Sequence, residues 1–415
     1  MPEQKLIDIN TGKYLTHLIK CALENAVPEE IPSDTDWLKV FFAAKQSSLE
    51  GITYISVEKL RNKPEERLFD HWKNVYSQIV YREVRFDFER QNIFEKMHEN
   101  GLSYLPLKGI NLLRFYPKAG MRSMCDNDIL YGQIERGSDG IFRIKGKNEE
   151  ERAASLREAQ DKLVSVMTSL GFEVGSLVGH DERFTKGSLL FEMHRSLVPP
   201  NRPYFKYYEN SWQRAIQSAD DPNRFSYSLE DEYIYTVVHT DKHLKTSGTG
   251  LRSIVDLYVF LKSAGDKLDR DYVDGELEKL GISDVEKRLR SFAFSLFEGN
   301  ELSDDDGQML LFFLNCGTYG NFDEMMRQNL NRLGAEEKRG KAKFAYLKKR
   351  LFPDISEETL KRCFPAFYKH RALRPFLPVY RVFRGFFKNT RYFFREVGYL
   401  FSRRKDRSDK EKKDI

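Results

Sequence analysis

Leu107-Lys108-Gly109 through Asp126-Asn127-Asp128-Ile129-Leu130 is the stretch on which the reading of this chain turns. The apolar residues before Lys108 read as a short strand. Gly109 has no Cβ and is expected to let the chain turn through left-handed dihedrals. Ile110 to Tyr116 then reads as a short helix, ended by Pro117-Lys118-Ala119-Gly120. A second strand follows with Asp126 and Asp128. Strand period is two, so these aspartates are expected to share one face while Asn127 points to the other. Like charges held that close repel unless a cation lies between them. Hard carboxylate oxygens suit Mg²⁺ or Mn²⁺.

An Asp-x-Asp by itself is a weak signal, since plain surface strands produce many such pairs. The glycine turn before it and a third carboxylate after it change the balance. That carboxylate is Glu192, in the apolar run Ser188-Leu189-Leu190-Phe191-Glu192-Met193-His194. The run reads as a central strand, where a glutamate is costly to bury and needs a reason. His194 falls two residues on, hence on the same face. Two roles stay open for it: contact with a metal-bound carboxylate or a phosphate, or a structural bond to backbone.

Working outward, Leu68, Trp72, Val75, Ile79, Val84 and Phe88 recur at helical spacing in a long helix that Gly101 ends. Its Arg82 and Glu83 read as solvated face. Residues 131–148 read as a polar insertion with one extra strand near Gly140–Gly146. Glu149 to Leu170 reads as a helix, and Phe172-Glu173-Val174 as a strand. His180-Asp181-Glu182-Arg183 reads as an exposed polar connection, with His180 a loop residue. Residues 200–227 are aromatic and loop-like. From Leu229 the periodicity is helical nearly to the end. His239 and His243 stand one turn apart with no glutamate between, so satisfied core histidines are favoured over a zinc pair. Arg252 and Asp256, also one turn apart, read as an ion pair on one helix. Ser303-Asp304-Asp305-Asp306 reads as a helix cap.

The fold class is therefore α+β: a small mixed sheet in roughly residues 100–196, surrounding helices, and a mostly helical C-terminal region. The division expected is 1–99 helical, 100–227 an α/β core, 228–375 helical, and 376–415 a basic aromatic extension with a charged tail.

Composition agrees with a folded protein, at 415 residues with 40% hydrophobic and 32% charged. The four cysteines have no paired spacing, which argues against a zinc knuckle or disulfide scaffold. The N-terminus lacks a signal-length apolar core, and no uninterrupted apolar run reaches about 18 residues. The location expected is cytoplasmic, with a peripheral place at the inner face of the membrane as the second option. That option comes from residues 361–415, with 17 Lys/Arg against 5 Asp/Glu interleaved with aromatics. Docking on the domain is favoured for the first half of this stretch. Peripheral membrane contact through residues 375–405 comes next, and a nucleic-acid backbone is less favoured.

These residues resemble a bacterial family of largely uncharacterised nucleotidyltransferase-like proteins of the nucleotidyltransferase-fold superfamily. The resemblance rests on Leu107-Lys108-Gly109, Tyr116-Pro117, Arg122, Asp126 and Asp128. It continues in Glu192 with His194, in His239, and in Leu251-Arg252 with Asp256. It implies a sheet of nucleotidyltransferase type and transfer of a nucleoside monophosphate from an NTP to an unidentified acceptor hydroxyl, small-molecule or macromolecular. Asp126, Asp128 and Glu192 would then hold Mg²⁺ or Mn²⁺ and carry catalysis. Lys108, Gly109, Arg122, His194 and Lys242 would bind substrate. Two positions depart from the superfamily: Ile110, where a serine or small residue is usual, and Asn127, where an apolar one is. They motivate the alternative, a nucleotide-binding or scaffold protein with weak or no turnover.

Overall fold

The structure is a computed structural model. It describes residues 7–401 apart from 178–180, 201, 300, 354, 356, 358–359, 362–363 and 389, and it leaves undescribed the side chains of 335–339, 385 and 388. The reading of His180 falls outside the described residues. The chain divides into two units, residues 1–244 with 249–319, and residues 245–248 with 320–415.

In the first unit, a five-stranded mixed sheet carries β1 (Ser103–Pro106), β2 (Asn127–Gly132), β5 (Glu173–Val174), β6 (Asp181–Lys186) and β7 (Leu189–His194). Its spatial order is β1-β2-β7-β6-β5. β2 and β7 run parallel, with Asp128 opposite Glu192 and Leu130 opposite His194, while the other neighbours are antiparallel. Alternation sorts the two central strands. Ile129, Tyr131, Phe191 and Met193 are buried in one apolar cluster with Phe86, Ile93 and Met97 of α4 (Glu66–Glu99) and Leu163 and Met167 of α6 (Glu149–Ser169). Asp128, Glu192 and His194 alternate with them, which puts these three on the opposite face.

Local chemistry sets the helix boundaries. Asn148 caps α6 by accepting from Glu151 N, Asp36 caps α2 (Trp37–Gln46) through Leu38 N, and Ser303 caps α11 (Asp304–Cys316) through Asp306 N. The capping role read for Ser303 thus holds, and Asp305 and Asp306 each bond Arg288. The buried stripe of α4 differs from the expected one. Trp72, Ile79, Phe86 and Ile93 are buried, whereas Val84 and Phe88 are more than half exposed. These four stand seven residues apart, close to two helical turns, so they share one side of the helix.

Two further corrections concern the sheet. The insertion after β2 holds two strands, β3 (Ile134–Arg136) and β4 (Phe142–Ile144), paired as a hairpin. Residues 181–183 belong to β6 rather than to an exposed connection. Glu182 there is fully buried, accepting from Tyr131 Oη at 2.9 Å and Gln160 Nε2 at 2.8 Å, with Arg195 2.8 Å away. A strand whose buried position is filled by a satisfied glutamate has no apolar alternation to betray it.

A larger apolar core joins α1 (Ile9–Leu23), α2 and α3 (Glu50–Val57) to α7 (Leu229–Leu244), α8 (Arg252–Ala264), α10 (Ser283–Glu298) and α11. Tyr208 and Trp212 from the aromatic stretch are buried in it, so that stretch wraps the unit.

The second unit is helical. Its helices Phe322–Asn331 and Ala335–Leu351 are separated at Gly334 with φ 81°. The extension is ordered in part, as expected. Leu400 joins Met326, Leu330 and Ala342 in an apolar cluster, and Glu396 accepts from Tyr346 Oη at 2.6 Å and Arg350 Nε at 3.0 Å. Phe376, Phe383, Phe387, Phe394 and Phe401 nevertheless remain more than half exposed.

Candidate functional site

Lys108 begins the site. Its backbone has φ 48° and ψ −116°, and Ile110 N donates to Leu107 O at 3.3 Å. These are the marks of a type II′ turn, with lysine at the first central position that glycine ordinarily takes. The expectation that Gly109 supplies the unusual dihedral is therefore corrected: the positive φ belongs to Lys108. Gly109 is required for another reason. A Cβ there would come within 2.6 Å of Arg122 Nη1.

Arg122 is packed against that turn and buried. Its Nε donates to Asp256 Oδ1 at 2.7 Å and its Nη2 to Asp256 Oδ2 at 2.9 Å. Tyr116 Oη adds a bond to Asp256 Oδ1 at 2.7 Å. Asp256 thus pairs with Arg122 from the connecting loop, which corrects the i,i+4 pair read from the sequence. Arg252 turns instead to Ser123 O, at 3.0 Å. The bidentate fork joins the turn to α8, and it is the feature that fixes how the turn is presented.

Asp128 is almost fully buried. Lys108 Nζ lies 2.7 Å from its Oδ1, and His194 Nε2 lies 2.7 Å from the same oxygen. Burial alone would raise the Asp128 carboxyl, but Lys108 and His194 more than offset this and hold it well below the usual carboxylate range. Burial and the Asp128 charge push the Glu192 carboxyl up, and Arg183 on β6, 3.0 Å away, opposes them. Burial and Asp128 likewise push Asp126 up, against Lys108, Arg252 and Arg122.

Asp128, Glu192 and His194 each offer a ligand atom within 4.8 Å of the other two. Two carboxylates and an imidazole fit a divalent cation, and the nitrogen makes Mn²⁺ as suitable as Mg²⁺. Asp126 stands just before the first residue of β2, so the period-two argument does not reach it. It lies outside that group of three but within the electrostatic reach of Asp128. Asn127 faces the other side of the sheet, as expected, where its Oδ1 accepts from Arg90 Nη1 of α4 at 2.7 Å.

From α7, Lys242 feels the charges of Lys108, Asp128, Arg202 and Glu192; burial first, then Lys108, bring it down to about 8. His239 and His243 place their Nε2 atoms 3.1 Å apart. Burial and nearby lysines keep both below the ordinary histidine value, with His243 brought down to about 4. This pair matches the core reading of the two histidines. Arg183 and Arg202 were missed. Arg183 could have been found by reading 181–186 as a strand, since register then sets it opposite Glu192.

Residues 33–137 and 156–298, more than half of the chain, match the sequence model of a family described as an uncharacterised nucleotidyltransferase. The chain belongs to this family. The matched residues include every site residue named above. No curated protein matches it. Among solved structures, the solution structure of the antibiotic-resistance factor ANT(2'')-Ia is similar at 13% identity, over 49% of this chain and 92% of that one, with a TM-score of 0.30.

Proposed function

We propose that this nucleotidyltransferase moves a nucleoside monophosphate from an NTP to an acceptor hydroxyl, with a divalent cation held by Asp128 and Glu192 and aided by Asp126 and His194. The observation that carries the proposal is the in-register pairing of Asp128 and Glu192 on parallel neighbouring strands, with His194 beside them. A divalent cation bound there would supply charge neutralisation for the triphosphate and a lowered pKa for the acceptor hydroxyl. The chain's own groups do the rest. Lys242, within electrostatic reach of Asp128 and Glu192, offers a cation to the phosphates, and its value of about 8 leaves it mostly charged at neutral pH. His194 orients the Asp128 carboxylate. The acceptor hydroxyl gives up its proton to solvent, the new bond joins its oxygen to the α-phosphorus, and pyrophosphate leaves with the electron pair of the broken anhydride.

The test is pyrophosphate release by the purified protein with each NTP, Mg²⁺ or Mn²⁺, and a panel of sugar, small antibiotic-like, protein and nucleic-acid acceptors. Metal-dependent release with one pairing is the expected result. Nucleotide binding with no release from any pairing would favour the binding-protein alternative. The two departures that motivate that alternative have structural explanations: Asn127 is held by Arg90, and Ile110 packs against the sheet's apolar cluster.

We also propose peripheral contact with an anionic lipid surface. No helix among the described residues is long and apolar enough to cross a membrane. In helix Leu377–Lys388, however, Val379, Tyr380, Phe383 and Phe387 form one exposed stripe that continues Phe376. Phe394 and Phe401 do the same in helix Thr390–Phe401. Arg381, Arg384, Arg391 and Arg395 accompany them. Apolar area with a basic border suits an anionic interface. The protein is expected to sediment with vesicles containing anionic phospholipid, less so in high salt, and not with zwitterionic vesicles. F383E/F387E should abolish sedimentation. Salt-insensitive self-association without vesicle binding would assign the stripe to a second copy instead.

A further inference from the structure

Carboxylates gathered for a divalent cation repel one another when none is bound, and a fold must offset that repulsion. This chain does so with a cation of its own. Lys108 Nζ sits 2.7 Å from Asp128 Oδ1, on one of the carboxylates that would ligate the ion. The lysine makes this contact from an unfavourable backbone at φ 48°. Such strain persists only where surrounding structure imposes it, and it marks functional positions more often than others. The imposing structure is visible. Gly109 is locked against Arg122, and Arg122 against Asp256. Leu107 N is tied to Asp128 O at 2.9 Å, and Asn111 and Leu112 both donate to Lys108 O at 3.0 Å. The turn is bound on both sides, and it aims the ammonium at the strand beside it.

We propose that Lys108 is a resident counter-cation that competes with the divalent ion for Asp128 and yields when the ion and an anionic nucleotide arrive together. The proposal rests on the nucleotidyl-transfer reading of the site and adds an order of loading to it. An ammonium and a divalent ion on one carboxylate repel. Entry of the ion alone therefore means moving Lys108 off its hydrogen-bonded carboxylate with no new anionic partner beyond the site's own Asp126, in a neighbourhood that also holds Lys242, Arg202 and Arg252. A polyphosphate supplies that partner. Metal and nucleotide then bind with positive coupling, and linkage requires each to tighten the other by the same factor. Lys108 is a positioning residue in the metal-free protein and a phosphate ligand in the loaded one.

The test is calorimetric titration of Mn²⁺ into wild type, K108M and K108R, each with and without an α,β-methylene NTP that cannot be cleaved. Without nucleotide, K108M should bind Mn²⁺ at least about tenfold tighter than wild type, because its competitor is gone. K108R keeps a cation and should bind as weakly as wild type. In wild type the nucleotide should tighten Mn²⁺ by about tenfold or more, a gain that K108M should largely lose. Equal or weaker Mn²⁺ binding by K108M overturns the proposal. K108G, which suits the turn's dihedrals, guards against a folding failure, and it too should bind Mn²⁺ more tightly than wild type. Failure of the nucleotidyl-transfer reading looks different: wild type binds no NTP with any metal, while the Mn²⁺ comparison among variants stays readable.

Discussion

Arg122→Met is expected to destabilise the protein by about 3–5 kcal/mol, the range for removing one partner of a buried ion pair. Asp256 would be left with its carboxylate buried and only Tyr116 and the more distant Arg252 to offset it. The turn would lose the group that packs against Gly109. Denaturant unfolding measures the effect. The double variant R122M/D256L should cost much less than the two single changes summed, because a buried apolar pair replaces a buried ionic one. The outcome also decides what Arg122 does. A loss of stability under about 1 kcal/mol, with a large loss of nucleotide affinity, would return it to the substrate-binding role suggested by the sequence.

Asp128→Asn is expected to cut metal-dependent turnover by about 10³-fold or more, the consequence of losing several kcal/mol of transition-state stabilisation. Mn²⁺ binding should fall with it. The change keeps the side chain's shape, so folding should survive, yet the sign of its effect on the metal-free protein follows from the site's own cations. Relief of repulsion with Asp126 and Glu192 alone would make the asparagine variant more stable. Contacts of 2.7 Å to Lys108 and His194 outweigh that relief, and the metal-free variant should be less stable by about 2 kcal/mol at neutral pH.

The pH dependence has a defined direction. The folded-state value of Asp128 is depressed, so its contribution is present above the ordinary carboxylate value of about 4 and is lost as pH falls through the folded value. The difference between wild type and D128N should therefore shrink in acid. Asp126 and Glu192 are raised, so their penalty is present above their folded values and is relieved as pH falls toward the unfolded ones. Thermal melts of both proteins from neutral to acid pH, with and without Mg²⁺, check both signs. Stabilisation by Mg²⁺ in wild type but not in D128N completes the expected pattern. Equal metal response in the two proteins would remove Asp128 from the metal site.

Local pattern was enough to set the fold class and the central pair of strands. An apolar run with one glutamate, a glycine-containing turn before an Asp-x-Asp, and long helical periodicities are all properties of neighbouring residues, and short-range geometry decides them. Strand alternation carried Glu192 and His194 to one face, and Asn127 to the face opposite Asp128. Where alternation was masked, the reading failed. Buried Glu182 made β6 look like a loop, and with it went Arg183, the cation opposite Glu192.

Tertiary structure alone decided the partners. Asp126, Arg122, Lys108 and Gly109 were all legible as residues of interest, but their partners are set by packing, and Asp256, the partner of Arg122, lies 134 residues away in the chain. Arg122 reads as a phosphate ligand in the sequence, and only packing shows that Asp256 on α8 takes the Nε and Nη2 edge of its guanidinium. Gly109 was free to be a dihedral requirement until that guanidinium closed on it. Lys108, one residue earlier, holds the strained turn position. Sequence states which charges a chain carries and which face of an element they share. Which opposite charge each one meets is settled only when loops and helices more than a hundred residues apart pack together, and for a buried ion that meeting determines its chemistry.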